Sequence, residues 1–331
     1  MGDPTIYDVA ERAGVSIATV SRVLNSPRQV QEQTRARVQR AIDELSFVPR
    51  AEAAARARRA VGRVGVLAPF FTYPSFVQRL RGIAERLEDS QFELVIYNID
   101  TATRRDAVLN SLALTRRIDG LIVVSLPIDE EMTQRMLQHQ VATVLIEYAQ
   151  RGTTSIEIDD RAGGRIAADY LIGQGHRRLG YIGDSEVPMY ALFTSRMRLL
   201  GFRERIDELG LSLPDDAIGL TLHGMETARA ATHRLLDLPE PPSAIFAQSD
   251  IQAMGAIKAA ADRGLRIPED LAVMGFDDID IADFIGLTTI RQPLDESGRI
   301  AVDQLLQLID DRTRTPQRVS LPLTMVQRRT A

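Results

Sequence analysis

The sequence predicts an α/β protein: two doubly wound lobes, each built on a parallel sheet, preceded by a small three-helix unit. Three observations predict it. Residues 5–25, TIYDVAERAGVSIATVSRVLN, hold two short helical patterns about a single glycine. Beyond residue 60, short β-branched runs alternate with amphipathic helical stretches, the pattern of βαβ units around a buried sheet. That alternation runs through two successive sets, and a chain of 331 residues is long enough for two or three domains with cores of their own.

The first helical pattern opens at Thr5, a residue type suited to an N-cap, with Asp8 three residues on. Ile6, Val9, Ala10 and Ala13 form its apolar stripe. Gly14 can take the left-handed conformation that lets one helix stop and another begin at a steep angle. The second pattern starts after Ser16, another N-cap type. At 3.6 residues per turn Val20, Val23 and Leu24 share one side. Ala18, Ser21, Arg22 and Asn25 fall on the opposite side, with Ile17 at its edge. A third pattern, with Val38, Ala41, Ile42 and Leu45 at helical spacing, closes a three-helix core. This is a helix-turn-helix, and the small, hydrogen-bonding and cationic outer face of its second helix suits the groove of DNA. Residues 50–60, RAEAAARARRA, have a helix-forming composition but are too short to hold a helix alone, so they read as a hinge that a partner orders.

The first set of strands and helices runs through GRVGVLAP, FVQRLRGIAERLED, FELVIYNI, GLIVVS and VATVLIE. The second begins near residue 161 and runs through RRLGYIG, RMRLLGFRERIDELG, SAIFAQ, IQAMGAIKAAADRG and LAVMGF. A tail follows, made of a strand TTIRQP, a helix over 294–310 and VSLPLTMVQR, and it must cross between the lobes more than once. The expected lobes are therefore about 62–160 plus 291–320, and about 161–290 plus 321–331. In such sheets ligands bind beyond the carboxyl ends of the strands, and with two lobes those ends can face each other across a cleft. Glu147, Ser249, Asp250 and Asp277 fall at such ends, and Arg198 opens a helix after one. FFTYPSF adds Phe70, Phe71, Tyr73 and Phe76 after the first strand, a wall on which a sugar ring could stack.

Composition narrows the function. The chain has no Cys, which excludes a disulfide framework, thiolate metal sites and a Cys nucleophile. It carries no apolar signal segment and no run of 18 apolar residues, so a cytoplasmic protein with no membrane contact is expected. The net charge of −5 is unevenly spread, with +3 in residues 1–60 and −8 in the rest. The glycines of GQGHRRLG lack the dinucleotide spacing, no phosphate loop or nucleophile elbow is present, and the four His form no metal-ligand motif. No enzyme, cofactor or metal is expected. A transporter's solute-binding protein, whose lobes are of this kind, would need an export signal and no residues 1–60.

VAERAGVSIATVSRVLN, GQGHRRLGYIG, SRMRLLGF, SDIQAMGAIKAA and GFDDIDIA, in that order, resemble motifs of the lac repressor (LacI/GalR) family of bacterial transcription regulators. The resemblance covers nearly the whole chain. It implies a helix-turn-helix DNA-binding domain over 1–49, a hinge over 50–60, and a periplasmic-binding-protein-like core over 61–331. It further implies a homodimeric repressor of carbohydrate uptake or catabolism genes, each subunit reading half of a pseudo-palindromic operator under control of a sugar bound between the lobes. Ile17, Ala18 and Arg22 match the family's base-reading positions, where Arg22 could bond bidentately to a guanine. Thr5, Ser16, Thr19, Ser21 and Asn25 are the candidates for phosphate contacts. By motif, Arg198 and Asp277 match positions that bond sugar hydroxyls, Glu147 stands where the family often has Asp, and Ser249 where it often has Asn. His223 falls near the family's aromatic stacking position.

The hinge departs from the family pattern. Pro49 is followed by Arg50 where the family has Asn, and Arg56 takes the place of the Leu that wedges between bases at the operator centre. Arg50 and Arg56, with Arg58 and Arg59, are expected to meet the operator electrostatically and to bend it less. The chain ends at VQRRTA with no heptad extension, which favours a dimer over a tetramer.

Overall fold

The local chemistry of the N-terminal helices appears at once in a capping box, in which Thr5 Oγ1 accepts the Asp8 N–H and Asp8 Oδ2 accepts the Thr5 N–H at 2.6 Å. The computed structural model describes residues 4–25, 30–45, 62–115, 117–185 and 194–331. The chain divides into two compact units, Met1–Gly62 and Arg63–Ala331. In the first, helix α1 (Ile6–Ala13) ends at Gly14, whose φ of 63° places it in the left-handed region. Helix α2 (Ile17–Asn25) follows after two residues, its first turn capped by Ser16 Oγ, which accepts the Thr19 N–H at 3.2 Å. Helix α3 (Glu32–Leu45) closes a core of Val9, Ala10, Ala13, Val20, Val23, Val38 and Ala41, all buried. The Leu24 side chain and the hinge over 50–60 lie outside the described residues.

The second unit begins with β1 (Gly62–Ala68), α4 (Pro74–Leu87), β2 (Phe92–Asn98), α5 (Ala102–Thr115), β3 (Gly120–Val124), α6 (Glu130–Gln138), β4 (Ala142–Ile146) and β5 (Thr154–Glu157). The chain then passes into α7 (Asp160–Gly173), β6 (Leu179–Asp184), α8 (Thr194–Glu208), β7 (Ile218–Thr221), α9 (Met225–Leu236), β8 (Ala244–Ala247) and α10 (Asp250–Asp262). It continues through β9 (Ala272–Asp277), α11 (Asp280–Ile285), β10 (Thr288–Arg291), α12 (Leu294–Asp310), β11 (Arg318–Ser320) and β12 (Thr324–Val326). One sheet has the order β11-β5-β4-β3-β1-β2 and the other β12-β10-β9-β8-β6-β7. The second is parallel except for β12, which runs antiparallel to β10.

Alternate residues of each strand serve opposite faces. In the first sheet Val64, Val66, Ile122 and Val124 pack with Ile83 of α4 and Val302 of α12, whereas Leu67, Leu121 and Val123 pack with Leu109 of α5 and Met136 of α6. In the second, Tyr181, Phe246 and Met274 pack with Phe202 of α8, whereas Ile182, Ile245 and Val273 pack with Ala228 of α9 and Ala253 of α10. Both sheets are thus doubly wound and apolar on both faces, as parallel sheets require. The chain passes from one lobe to the other after β5, after β10 and after β11. At one contact the backbones touch: a Cβ on Gly201 of α8 would lie 1.9 Å from the Arg161 carbonyl oxygen of α7. Only glycine permits that approach, which brings Asp160 at the start of α7 beside Arg198 on α8.

Candidate functional site

The carboxyl ends of the strands in the two sheets face one cavity of about 410 Å³ between the lobes. Phe70 follows β1, Ser125 follows β3, Glu147 follows β4, and Asp184 and Asp277 end β6 and β9. Four of these five leave their strands at positive φ: Phe70 at 45°, Ser125 at 53°, Glu147 at 78° and Asp277 at 110°. A side chain in that region costs about 1 kcal/mol or more, and such costs cluster where geometry serves a ligand.

Arg198 organises the second-lobe wall. It is 5% exposed, donates from Nε to Asp160 Oδ1 at 2.8 Å and from Nη1 to the Gln248 carbonyl at 2.6 Å, and lies 3.6 Å from Asp277 Oδ1. Its guanidinium also covers the Phe276 ring at 3.6 Å. Burial pushes the Asp160 carboxyl up to about 6, against the opposing pull of Arg198, and raises Asp277 for the same reason. The first-lobe wall repeats the device with Arg79, 1% exposed, which donates to Glu147 Oε1 at 2.7 Å and to Ser297 Oγ at 3.1 Å. The Ser125 hydroxyl donates to the other Glu147 oxygen. Asp277 accepts from the Gln292 side-chain amide, and Gln292 Oε1 has no partner among the described residues.

Aromatic rings form the remaining wall. Phe70 and Tyr73 stack with centroids 5.1 Å apart, and Tyr73 stacks on His223 of the opposite lobe at 4.7 Å. His223 is steered by Asp184, 3.2 Å from its Nδ1, and Asp184 also accepts from Gln252 at 3.0 Å. Ser249 lines the cavity and caps α10 by accepting the Gln252 N–H.

Of the sequence-derived candidates, Phe70, Tyr73, Phe76, Glu147, Arg198, His223, Ser249 and Asp277 all line this cavity. Asp250 does not. It is fully buried, and its carboxylate accepts the Ile279 N–H at 2.8 Å and the Thr289 hydroxyl, tying β9, β10 and α10 together beneath the floor. Phe71 packs on the first-lobe core. Sequence reasoning missed Ser125, Asp184, Ser195, Gln248 and Gln292 in the lining, and Arg79 and Asp160 behind it. Asp184 was within reach of the strand-end rule, since it closes YIGD.

On α2 of the N-terminal unit, Ile17, Ala18 and Arg22 are exposed, while Val20 and Val23 face the core. Thr19 and Ser21 are half-buried, and the Thr19 hydroxyl lies 2.9 Å from that of Ser16. The Thr5 hydroxyl donates to Asp8 at 2.7 Å. The Asn25 side chain, Arg50 and Arg56 lie outside the described residues. Among the described residues no group of three or more His, Asp or Glu is placed to hold a metal, and no helix is long and apolar enough to cross a membrane.

Comparison with known proteins agrees with both parts. Residues 5–50 match the model for bacterial regulatory proteins of the lacI family, and residues 168–331 match the periplasmic binding protein-like domain. The ribose operon repressor of Escherichia coli strain K12 is 33% identical, over 99% of this chain and 99% of its own. Among solved structures, the lac repressor dimer bound to operator and the anti-inducer ONPF is 26% identical with a TM-score of 0.76, covering 99% of each chain. The transcriptional regulator CelR in complex with cellobiose is 29% identical with a TM-score of 0.70, covering 99% of this chain and 100% of that one. With a helix-turn-helix at its N-terminus, a cavity between two doubly wound lobes, and this similarity along its whole length, the chain belongs to the lacI family of bacterial regulatory proteins.

Proposed function

We propose that the chain is a cytoplasmic repressor of sugar uptake or catabolism genes, acting as a homodimer on a pseudo-palindromic operator and controlled by a sugar bound between its lobes. The observation that carries this reading is the cavity. Glu147, Asp184, Arg198 and Asp277 offer charged hydrogen-bonding groups from both lobes beside a stack of rings, the combination a polyhydroxylated ligand needs. The relatives support it by what they bind or control: ribose in one name and cellobiose in one complex.

The effector acts through the crossings. Asp160 stands where the chain enters the second lobe after β5 and holds Arg198, and Gln292 stands where it leaves after β10 and holds Asp277. A ligand engaging Arg198 and Asp277 therefore bears on two of the segments that set the lobes' relative orientation. Its differential affinity for two orientations shifts their populations and, through the hinges, operator affinity. On DNA, Arg22 reads a guanine and Ile17 and Ala18 give apolar base contacts. Thr5, Ser16, Thr19, Ser21 and Asn25 meet phosphates, and Arg50 and Arg56 meet the operator centre.

The test is selection of bound sequences from a random DNA pool by the full chain. Two inverted half-sites in the enriched sequences are expected. Enrichment of no sequence would overturn the reading.

A further inference from the structure

We propose that the cavity accepts hydroxyl-rich rings without an anionic group and rejects their phosphate esters. This rests on the reading of the cavity as the effector site and names the chemical class admitted there. Among the described residues three lining carboxylates, Glu147, Asp184 and Asp277, face one lining guanidinium, Arg198. Behind the wall Asp160 adds a fourth carboxylate and Arg79 a second guanidinium. Both cations are already committed: Arg79 to Glu147, and Arg198 to Asp160 and Asp277. Among the described residues the Asp184 carboxylate has no cationic arginine or lysine partner: it meets the His223 ring and the Gln252 amide.

Hydrogen-bonding capacity points the same way. Gln292 lines the cavity and is 5% exposed; its amide nitrogen is held by Asp277, and its buried Oε1 has no partner among the described residues. The three lining carboxylates only accept, and they call for a ligand that donates. Sugar hydroxyls donate, whereas a phosphate dianion only accepts. The start of α10 at this wall is capped by Ser249 and carries Asp250 in its first turn, which disfavours an anion there. One like-charge pair about 6 Å apart at an effective dielectric constant of about 20 weakens binding about 100-fold.

Isothermal titration of the full chain with matched pairs tests this: D-ribose and D-ribose 5-phosphate, D-glucose and D-glucose 6-phosphate, adenosine and adenosine 5′-monophosphate. In every pair that binds, the unphosphorylated member should bind at least about 100-fold more tightly. Asp184→Asn, which removes one cavity carboxylate and so one like-charge pair, should narrow that ratio about 100-fold. A phosphate ester that binds as tightly as its parent, a ratio unmoved by Asp184→Asn, or no binding by any pair at millimolar concentration would overturn the inference. Binding by adenosine and by neither sugar would sustain it while overturning the sugar reading.

Discussion

Replacing Arg198 with Met keeps a long side chain against the Phe276 ring and removes a cation that two buried carboxylates share. Nε lies 2.8 Å from Asp160 and Nη1 3.6 Å from Asp277. Removing one partner of a buried ion pair costs about 3–5 kcal/mol, because the charge left behind remains out of water. The carboxyls limit that loss by taking protons, which costs each about 1.4 kcal/mol per pH unit above its unfolded value. Burial already holds Asp160 at about 6 and raises Asp277 above its ordinary 3.8. A carboxyl raised in the folded state favours folding fully below its unfolded value, and that contribution is lost as pH rises through the folded value. Without Arg198 both values rise further, so the extra loss lies at neutral pH and fades in acid, where the carboxyls are protonated with or without the arginine. Urea unfolding should show Arg198→Met less stable by about 3–5 kcal/mol at pH 7 and by less than half of that at pH 5. A deficit of equal size at both pH values, or one under about 1 kcal/mol at pH 7, would refute the claim that Arg198 neutralises this pair.

Three further substitutions separate the roles assigned above. Asp250→Ala leaves the Ile279 N–H and the Thr289 hydroxyl without an acceptor, at about 1–3 kcal/mol each in unfolding measurements, and should leave sugar affinity unchanged. A tenfold loss of affinity would return Asp250 to the site. Gly201→Ala places a Cβ 1.9 Å from the Arg161 carbonyl oxygen, so α7 and α8 must part and the melting temperature should fall by several degrees; an unchanged value would contradict the close crossing. Arg22→Ala should cost about 1–3 kcal/mol on the selected operator and relax preference at one base pair. An equal loss on every sequence would make Arg22 a phosphate contact instead.

The helix-turn-helix was legible because its determinants are local. The capping box spans three residues, Gly14 marks the turn, and the helical period separates Val20 and Val23 from Ile17, Ala18 and Arg22. The cavity wall was legible because the carboxyl ends of parallel strands converge, so a polar residue closing an apolar run is a candidate wherever it occurs. That rule ran one residue too far at Ser249 and Asp250. Ser249 is the extended N-cap of α10 and Asp250 its first helical residue, and the change of backbone conformation between them leaves Ser249 in the lining and sends Asp250 beneath it. The partner that decides its role, Thr289, is 39 residues away on β10. Arg79 was hidden for the same reason: in sequence it resembles its neighbour Arg81, and only Glu147 and Ser297, 68 and 218 residues distant, make it part of the wall. Arg81 instead pairs on the outside with Asp280 and Asp295.

Coupling between the cavity and DNA is the central claim, and fluorescence anisotropy of a labelled operator titrated with the full chain, with and without the tightest-binding neutral ring, tests it most directly. The account predicts that the ring changes operator affinity by about 5- to 150-fold and that the operator changes ring affinity by the same factor. Identical operator affinity with the ring at saturation would contradict it.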